Sequence, residues 1–259
     1  LYSFEGSILV ALAATSESYR VLDGCRAIAK KAFGHFACLK EIILPDSVEI
    51  LGDFSFAKTR IPRFDAPKSL KSIGEKAFFS CPELQEVHLN EGLEEVRANA
   101  FTDTAIGELR LPATVERLGN PLAANTGLAY VGSEATFSIE KGSEHLLLDK
   151  AGCLYRKSAE GMVLDRMMNP DIREYQVLDG TAAIGDDAFF NHVSLERVTI
   201  PEGLAIIGKR AFKACRRLER INIPSSVAII EDEAFLDTAL GALSLPRGLQ
   251  SLGGNALVT

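Results

Sequence analysis

The sequence predicts a repeat solenoid, formally of the α/β class but rich in β-structure, and three observations carry that reading. A tetrad Ile/Leu-Gly-x-x followed by Ala-Phe recurs, most clearly at Ile73-Gly74 to Ala77-Phe78, Ile184-Gly185 to Ala188-Phe189 and Ile207-Gly208 to Ala211-Phe212. Its phenylalanines keep step: Phe33, Phe56, Phe78 and Phe101 lie 23, 22 and 23 residues apart, and Phe189, Phe212 and Phe235 lie 23 and 23 apart. A short apolar alternation, usually closed by proline, comes after each Phe, as in Leu195 to Val198-Thr199-Ile200-Pro201 and Leu218 to Ile221-Asn222-Ile223-Pro224. Self-similarity at such a period marks an array of small stacked units.

The chain opens, over 1–24, on a hairpin-like segment in which Gly6-Ser7-Ile8-Leu9-Val10 precedes Tyr19-Arg20-Val21-Leu22-Asp23-Gly24. A first repeat block, 25–131, holds copies ending at Phe33, Phe56, Phe78 and Phe101, then a degenerate one, Leu118-Gly119-Asn120-Pro121-Leu122-Ala123. In each copy the alternation turns two apolar side chains inward and one residue outward, as a short strand requires. Proline then ends the strand, having no N–H to give the ladder. A second apolar pair, such as Leu70 and Ile73 or Leu204 and Ile207, precedes each glycine and marks an opposite wall. One unit cannot bury two walls and its Phe alone, so stability must come from stacking. The repeats reading Asp103-Thr104-Ala105-Ile106 and Asp237-Thr238-Ala239-Leu240 have lost one residue between Phe and strand, which puts the deletion in the turn and leaves the strand intact.

Residues 132–175 interrupt the period. His145-Leu146-Leu147-Leu148, Cys153-Leu154-Tyr155-Arg156 and Met162-Val163-Leu164 are apolar runs separated by turn chemistry, so a β-hairpin or three-stranded meander is expected. The repeat restarts at Tyr175-Gln176-Val177-Leu178-Asp179-Gly180, matching Tyr19 to Gly24, and a second block occupies 176–259. The chain thus reads as one solenoid in which a unit of hairpin plus coils is used twice. Its final copy, Leu252-Gly253-Gly254-Asn255-Ala256-Leu257, stops mid-repeat, as a chain that continues or a worn cap would.

A 22–23-residue unit of this form resembles the BspA-like (Treponema pallidum type) leucine-rich repeat. The resemblance covers nearly all of the chain outside the insert, and seven copies agree in several positions; Asn90 in place of the closing Pro, and Ala29 and Arg97 in place of the Gly, are its departures. It implies a bacterial protein, secreted or exposed at the cell surface, associated with adhesion to host matrix or other cells. The family has no shared catalytic residues, so none carry over.

Composition narrows the function further. A hydrophobic content of 47% supports a continuous core, and a net charge of -7 with no basic run argues against nucleic acid or an anionic membrane as the main partner. No stretch approaches the roughly 18 apolar residues of a membrane span, and Ile8 to Ala14 is short and lacks a basic flank. Beginning at Leu1, the chain reads as a mature or truncated form, so the lack of a signal peptide says little about compartment. Five cysteines form no CxxC and no zinc-spaced cluster, which suggests free thiols; Cys81 and Cys215, three residues after a repeat Phe where siblings carry His192, Thr104 or Thr238, should be buried. His35, His88, His145 and His192 are scattered, and no nucleophile-elbow, metalloprotease, phosphate-loop or EF-hand motif is present. We therefore expect neither catalysis, cofactor nor metal. Gly74, Gly185 and Gly208 are assigned to the backbone geometry of a repeat turn.

Two surfaces are candidates for binding. Outward strand positions give a sheet face with His88, Arg110, Arg197, Thr199, Arg220 and Asn222; with strands 4.7–4.9 Å apart, the stacked coils would make it about 40 Å long. On the opposite wall, the residues between the apolar pair are polar in the first block but become Ala182-Ala183, Ala205-Ile206 and Ala228-Ile229 in the second. This aligns Ala183, Ile206 and Ile229 in an apolar stripe, to be covered by the insert, a second copy of the chain or a ligand. All five tyrosines lie in hairpin segments or junctions; Tyr19 and Tyr175 occupy matching positions and should be structural, which leaves Tyr155 as the interface candidate. The function these features imply is protein binding of the adhesion type; the alternative is a structural spacer that presents another domain.

Overall fold

The computed structural model describes residues 8–9, 16–119 and 136–258. Tyr2, Tyr130, Gly6, Ser7, Val10 and the degenerate copy from Asn120 to Ala123 lie outside them. The chain packs as two compact units, dividing between Glu144 and His145. The described residues contain strands and turns and no helix, so the connections between walls are made by turns.

In the first unit one wall is a six-stranded parallel sheet of two-residue strands, Ile8–Leu9, Ala27–Ile28, Ile50–Leu51, Ser72–Ile73, Glu95–Val96 and Arg117–Leu118. In the second, Thr181–Ile184, Ile206–Ile207, Ile229–Ile230 and Ser251–Leu252 continue a seven-stranded sheet that begins with an antiparallel meander, Leu146–Leu148, Cys153–Ser158 and Gly161–Met167. The insert is therefore a meander. It joins the coils edge to edge, Met162, Val163 and Leu164 pairing in parallel with Thr181, Ala183 and Ile184. It does not begin at 132, for Thr136–Ile139 pairs with Glu108–Leu111 as one more strand of the first unit.

The other wall is interrupted. Ser18–Arg20 pairs with Glu41–Ile43, Arg63–Asp65 with Glu86–His88, and Glu174–Gln176 with Arg197–Thr199 and then Arg220–Ile221. Each of these pairings spans a 23-residue step: Glu41 comes after Ser18, Glu86 after Arg63, and Arg220 after Arg197 by that number. Where the step is 22, from Ile43 to Asp65 or His88 to Arg110, no ladder forms. The missing residue falls in the turn after Phe56, Phe101 and Phe235, and each shortened turn carries a threonine, Thr59, Thr104 or Thr238, whose hydroxyl donates to the carbonyl of that Phe at 2.8–3.0 Å. A shortened turn thus keeps its strand segment but breaks its pairing, which corrects the expectation of a continuous 40 Å face. The glycine wall pairs across both steps.

Between the walls run two ladders of phenylalanine. Phe33, Phe56, Phe78 and Phe101 stack at 5.0, 5.2 and 5.3 Å with their planes within 10°. Phe189, Phe212 and Phe235 do the same at 4.9 and 5.3 Å. The matching tyrosines cap the ladders: Tyr19 lies 5.6 Å from Phe33 and Tyr175 lies 5.8 Å from Phe189. Cys81 and Cys215 are buried, free and packed as expected, their thiols donating to the carbonyls of Phe56 and Phe189 one coil back; burial pushes Cys215 up to about 12.

The repeat glycines have a different reason from the one expected. Gly74, Gly185 and Gly208 do not adopt positive φ; at Gly74 a Cβ would stand 2.6 Å from both the Asp53 nitrogen and the Gly52 carbonyl carbon. Gly74 and Gly208 are glycines of close approach, where the backbone of the preceding coil occupies the space of a side chain, whereas at Gly185, beside the meander, the nearest atom is the Leu164 carbonyl oxygen at 3.1 Å. Left-handed conformations occur instead two residues later, at Lys76, Asp187 and Arg210, with φ of 55°, 56° and 54°.

Candidate functional site

The sheet-face candidates arise from strand alternation. In Glu86-Val87-His88 and Arg197-Val198-Thr199 the central valine is buried and its neighbours are exposed. His88 meets Asp65 one coil back, Nδ1 to Oδ1 at 2.9 Å, and Arg63 donates to both oxygens of the same carboxylate at 2.8 Å. Those contacts, the Arg63 hydrogen bond first, hold Asp65 below its usual carboxylate range. Arg110 lies on a separate strand pair and donates to Glu108 at 2.8 Å, which lowers the Glu108 carboxyl and raises the guanidinium. The structure brings His88 together with Asp65 and Arg63, but neither with Arg110 through a ladder.

In the second unit Arg197 and Arg220 face outward from adjacent strands, directly opposite in register, and Arg197 pairs with Glu174 at 3.8 Å. Thr199 is exposed beside them. Asn222 is exposed too, yet its amide is committed: Oδ1 accepts from the Ile200 N–H at 2.8 Å and Nδ2 donates to the Ile200 carbonyl at 2.7 Å. It replaces a ladder rung where Arg220–Ile221 ends, leaving little of the side chain for a ligand.

The apolar row is in register but uncovered by the insert. Ala183, Ile206 and Ile229 are half-buried neighbours on the outer face of their sheet, and Val163 of the meander extends the same row. The expected cover therefore becomes a continuation. Sequence reasoning missed a second such row: Ile8, Ala27 and Ile50 are aligned in the first unit, with Ile50 48% exposed, before Ser72, Glu95 and Arg117 turn the row polar. The signal was present in Ile8 and Ile50 but was hidden by comparing only the later coils.

Tyr155 is a correction. It is fully buried, and its hydroxyl is part of a closed relay: the Leu178 N–H donates to Tyr155 Oη at 3.1 Å, Tyr155 donates to Tyr175 Oη, and Tyr175 donates to Asp149 Oδ2 at 2.6 Å. Asp149 Oδ1 in turn accepts the Ala151 and Cys153 N–H groups at 2.9 and 2.8 Å. Burial raises both phenols above their ordinary range and pushes the Cys153 thiol up to about 12. A groove of about 520 Å³ lies alongside, lined by Leu147, Leu148, Ala151, Tyr175 and Leu178. With its polar groups satisfied internally, the relay fixes the meander to the coils and presents no activated nucleophile. Among the described residues no three His, Cys, Asp or Glu side chains are grouped to hold a metal ion, and no helix is long and apolar enough to cross a membrane.

Comparison with known proteins bears on this geometry. A family profile described as BspA type leucine rich repeat region matches residues 13–128 and 168–259 in six copies. No curated protein sequence matches the chain. Among solved structures, the pneumococcal vaccine antigen PcpA superposes with a TM-score of 0.67 at 25% identity, covering 92% of this chain and 58% of that one. The chain thus spans less than two thirds of that antigen's length. A leucine rich cell surface protein of Faecalibacterium prausnitzii superposes with a TM-score of 0.54 at 21% identity, covering 90% of this chain and 73% of that one, which shows the shared fold.

Proposed function

Since the chain belongs to the BspA-type leucine-rich-repeat family, we propose that it works as a secreted or cell-surface module that binds a protein partner in the manner of an adhesin. The observation that carries this reading is the division of labour within each coil: the inward row is used up in stacking, while the outward positions, His88 and Arg110 in the first unit and Arg197, Thr199 and Arg220 in the second, are exposed and vary from coil to coil. A face of that kind suits recognition of another folded surface or extended chain, with a host-matrix or cell-surface protein as the partner class. The similarity to a pneumococcal vaccine antigen supports exposure at a bacterial surface.

The test is surface plasmon resonance of the chain on immobilised extracellular-matrix proteins, beside the variant Arg110→Glu, Arg197→Glu, Arg220→Glu. Saturable binding that is lost in the variant, with an unchanged circular dichroism spectrum, is the expected result. Binding that survives the reversals would remove the sheet face, and no binding to any matrix protein would remove the adhesion reading. Deleting the meander is not an equivalent test, because Cys153, Tyr155, Leu164 and Met167 belong to the core of the second unit.

A further inference from the structure

Many outward cations on this protein are neutralised by an acid one coil away. Lys40 meets Glu17 at 2.8 Å, Arg60 meets Glu83 at 2.6 Å, Lys71 meets Glu94 at 3.6 Å and Arg210 meets Asp187 at 2.7 Å, each across one turn of the stack. The strand that carries Arg220 departs from this pattern with a cluster of like charge. Arg220 has Arg197 directly opposite on the coil before and, by the repeat alignment of Leu218-Glu219-Arg220 with Leu240-Gly241-Ala242, an alanine on the coil after. Like charges in facing strand positions are unfavourable unless something answers them. Arg216 and Arg217 stand exposed in the turn leading into the same strand, and their counterparts one coil back are Val193 and Ser194. Arg216, Arg217 and Arg220 have no ion pair or side-chain hydrogen bond among the described residues, and Glu219, the acid between them in sequence, pairs with none of the three. In a chain with 35 acidic residues against 28 basic ones, three adjacent unanswered arginines are a local reversal of sign.

The same corner is apolar as well as basic. Val193 is 54% exposed and Phe190, in the turn that carries it, is 50% exposed. We propose that Arg216, Arg217 and Arg220, with Val193 and Phe190 beside them, form a docking patch for an acidic protein segment that carries apolar side chains among its carboxylates. The proposal rests on the reading of the chain as a protein-binding module and names the chemistry of the partner. Guanidinium forks match carboxylates two bonds at a time, and the exposed valine and phenylalanine gain contact from a peptide side chain. A sulfated polysaccharide would satisfy the charge but leave those two residues wet, and the chain has no tryptophan on which to stack a sugar ring.

The experiment is fluorescence anisotropy with a synthetic peptide of alternating Glu and Leu, its counterpart with Gln for every Glu, and heparin as competitor. The proteins are the unchanged chain, the triple variant Arg216→Gln, Arg217→Gln, Arg220→Gln, and a control of equal charge change, Lys58→Gln, Lys150→Gln, Arg247→Gln. The acidic peptide should bind at least about tenfold more weakly to the triple variant, about 1.4 kcal/mol, and as tightly to the control as to the unchanged chain. Binding should weaken as salt rises from about 0.01 M to about 0.1 M, which shortens the screening length from about 30 to about 10 Å. Equal binding of the acidic peptide and its Gln counterpart, equal binding by the triple variant, or capture of heparin without the peptide would each overturn the assignment. Matrix-protein binding that persists while the peptide fails sinks the patch and leaves the proposed function; peptide binding without any matrix protein does the reverse.

Discussion

Replacing Gly74 by alanine tests the claim that the repeat glycine exists to let two coils touch. The added Cβ would lie 2.6 Å from Asp53 N and Gly52 C and 2.8 Å from Leu51 O, all backbone atoms with no rotamer to give way. Restoring ordinary contact requires a retreat of about 0.8 Å in an interior packed like a crystal. That retreat stretches the Gly74 N–H bond to Leu51 O and the Lys71 N–H bond to Glu49 O, both 2.8 Å, and parts Phe56 from Phe78, now 5.2 Å apart. Overpacking of this kind costs about 1–3 kcal/mol. Gly107→Ala is the comparison: nothing lies within 4 Å of its Cβ position and its φ is not positive, so its effect should stay within about 0.5 kcal/mol. Urea unfolding monitored by far-ultraviolet circular dichroism gives both midpoints. Equal shifts for the two substitutions would refute the close-approach argument and return the glycine to a dihedral role.

Further expectations concern the core, pH and assembly. Phe212→Ala removes the middle ring of the second ladder and should cost about 3–5 kcal/mol; a change below about 1 kcal/mol in urea would mean that the stacking seen at 4.9 and 5.3 Å contributes little. His192 is buried, donates from Nε2 to the Asn169 carbonyl at 2.7 Å and leaves Nδ1 without a partner, with Asp171 the charge nearest in effect. Burial, the largest cause, lowers its pKa from 6.5, so the unfolded chain takes up the proton first. Stability is full above that value and declines as pH falls beneath it. His192→Thr should flatten this part of the urea-midpoint profile between about pH 7.5 and about pH 5.5, and an unchanged slope would show that another group is responsible. The row Val163, Ala183, Ile206 and Ile229 is proposed to hold a second copy of the chain. Sedimentation velocity should find Ile206→Glu, Ile229→Glu monomeric where the unchanged chain self-associates, and a monomeric unchanged chain would dismiss the row as a contact.

Much of the fold was legible because a repeat averages its own noise. One Ala-Phe pair says little, but Phe33 to Phe101 in near-constant steps places every ring on one axis. The matching of Tyr19 with Tyr175 likewise marked both as structural, and the structure shows each capping a ladder. Other features depend on atoms contributed by the neighbouring coil, which a single repeat does not reveal. Gly74 looks like a turn glycine until the Asp53 nitrogen beside it is placed. A one-residue deletion looks harmless in Asp103-Thr104-Ala105 until the strands on either side are seen unpaired. Tyr155 was misread because its partners, Tyr175 and Asp149, come from segments that share no period with it. Of the candidate site, the exposed positions were legible by alternation. The commitment of Asn222 to Ile200 and the unanswered Arg216 and Arg217 were not, because they depend on which neighbour each side chain finds.

The edge-to-edge docking of the meander has a consequence for how the second unit forms. Antiparallel strands joined by short turns need only local contacts and close in about 1–10 μs, whereas a parallel coil must bring residues about a full repeat apart before any rung is made. The meander can therefore exist first, and its outer strand, Gly161–Met167, offers an open template on which Thr181–Ile184 and then each later turn can be laid. The segment that interrupts the period is in this sense a starter for the second stack, paying the initial closure entropy once so that later coils add to an edge already in place.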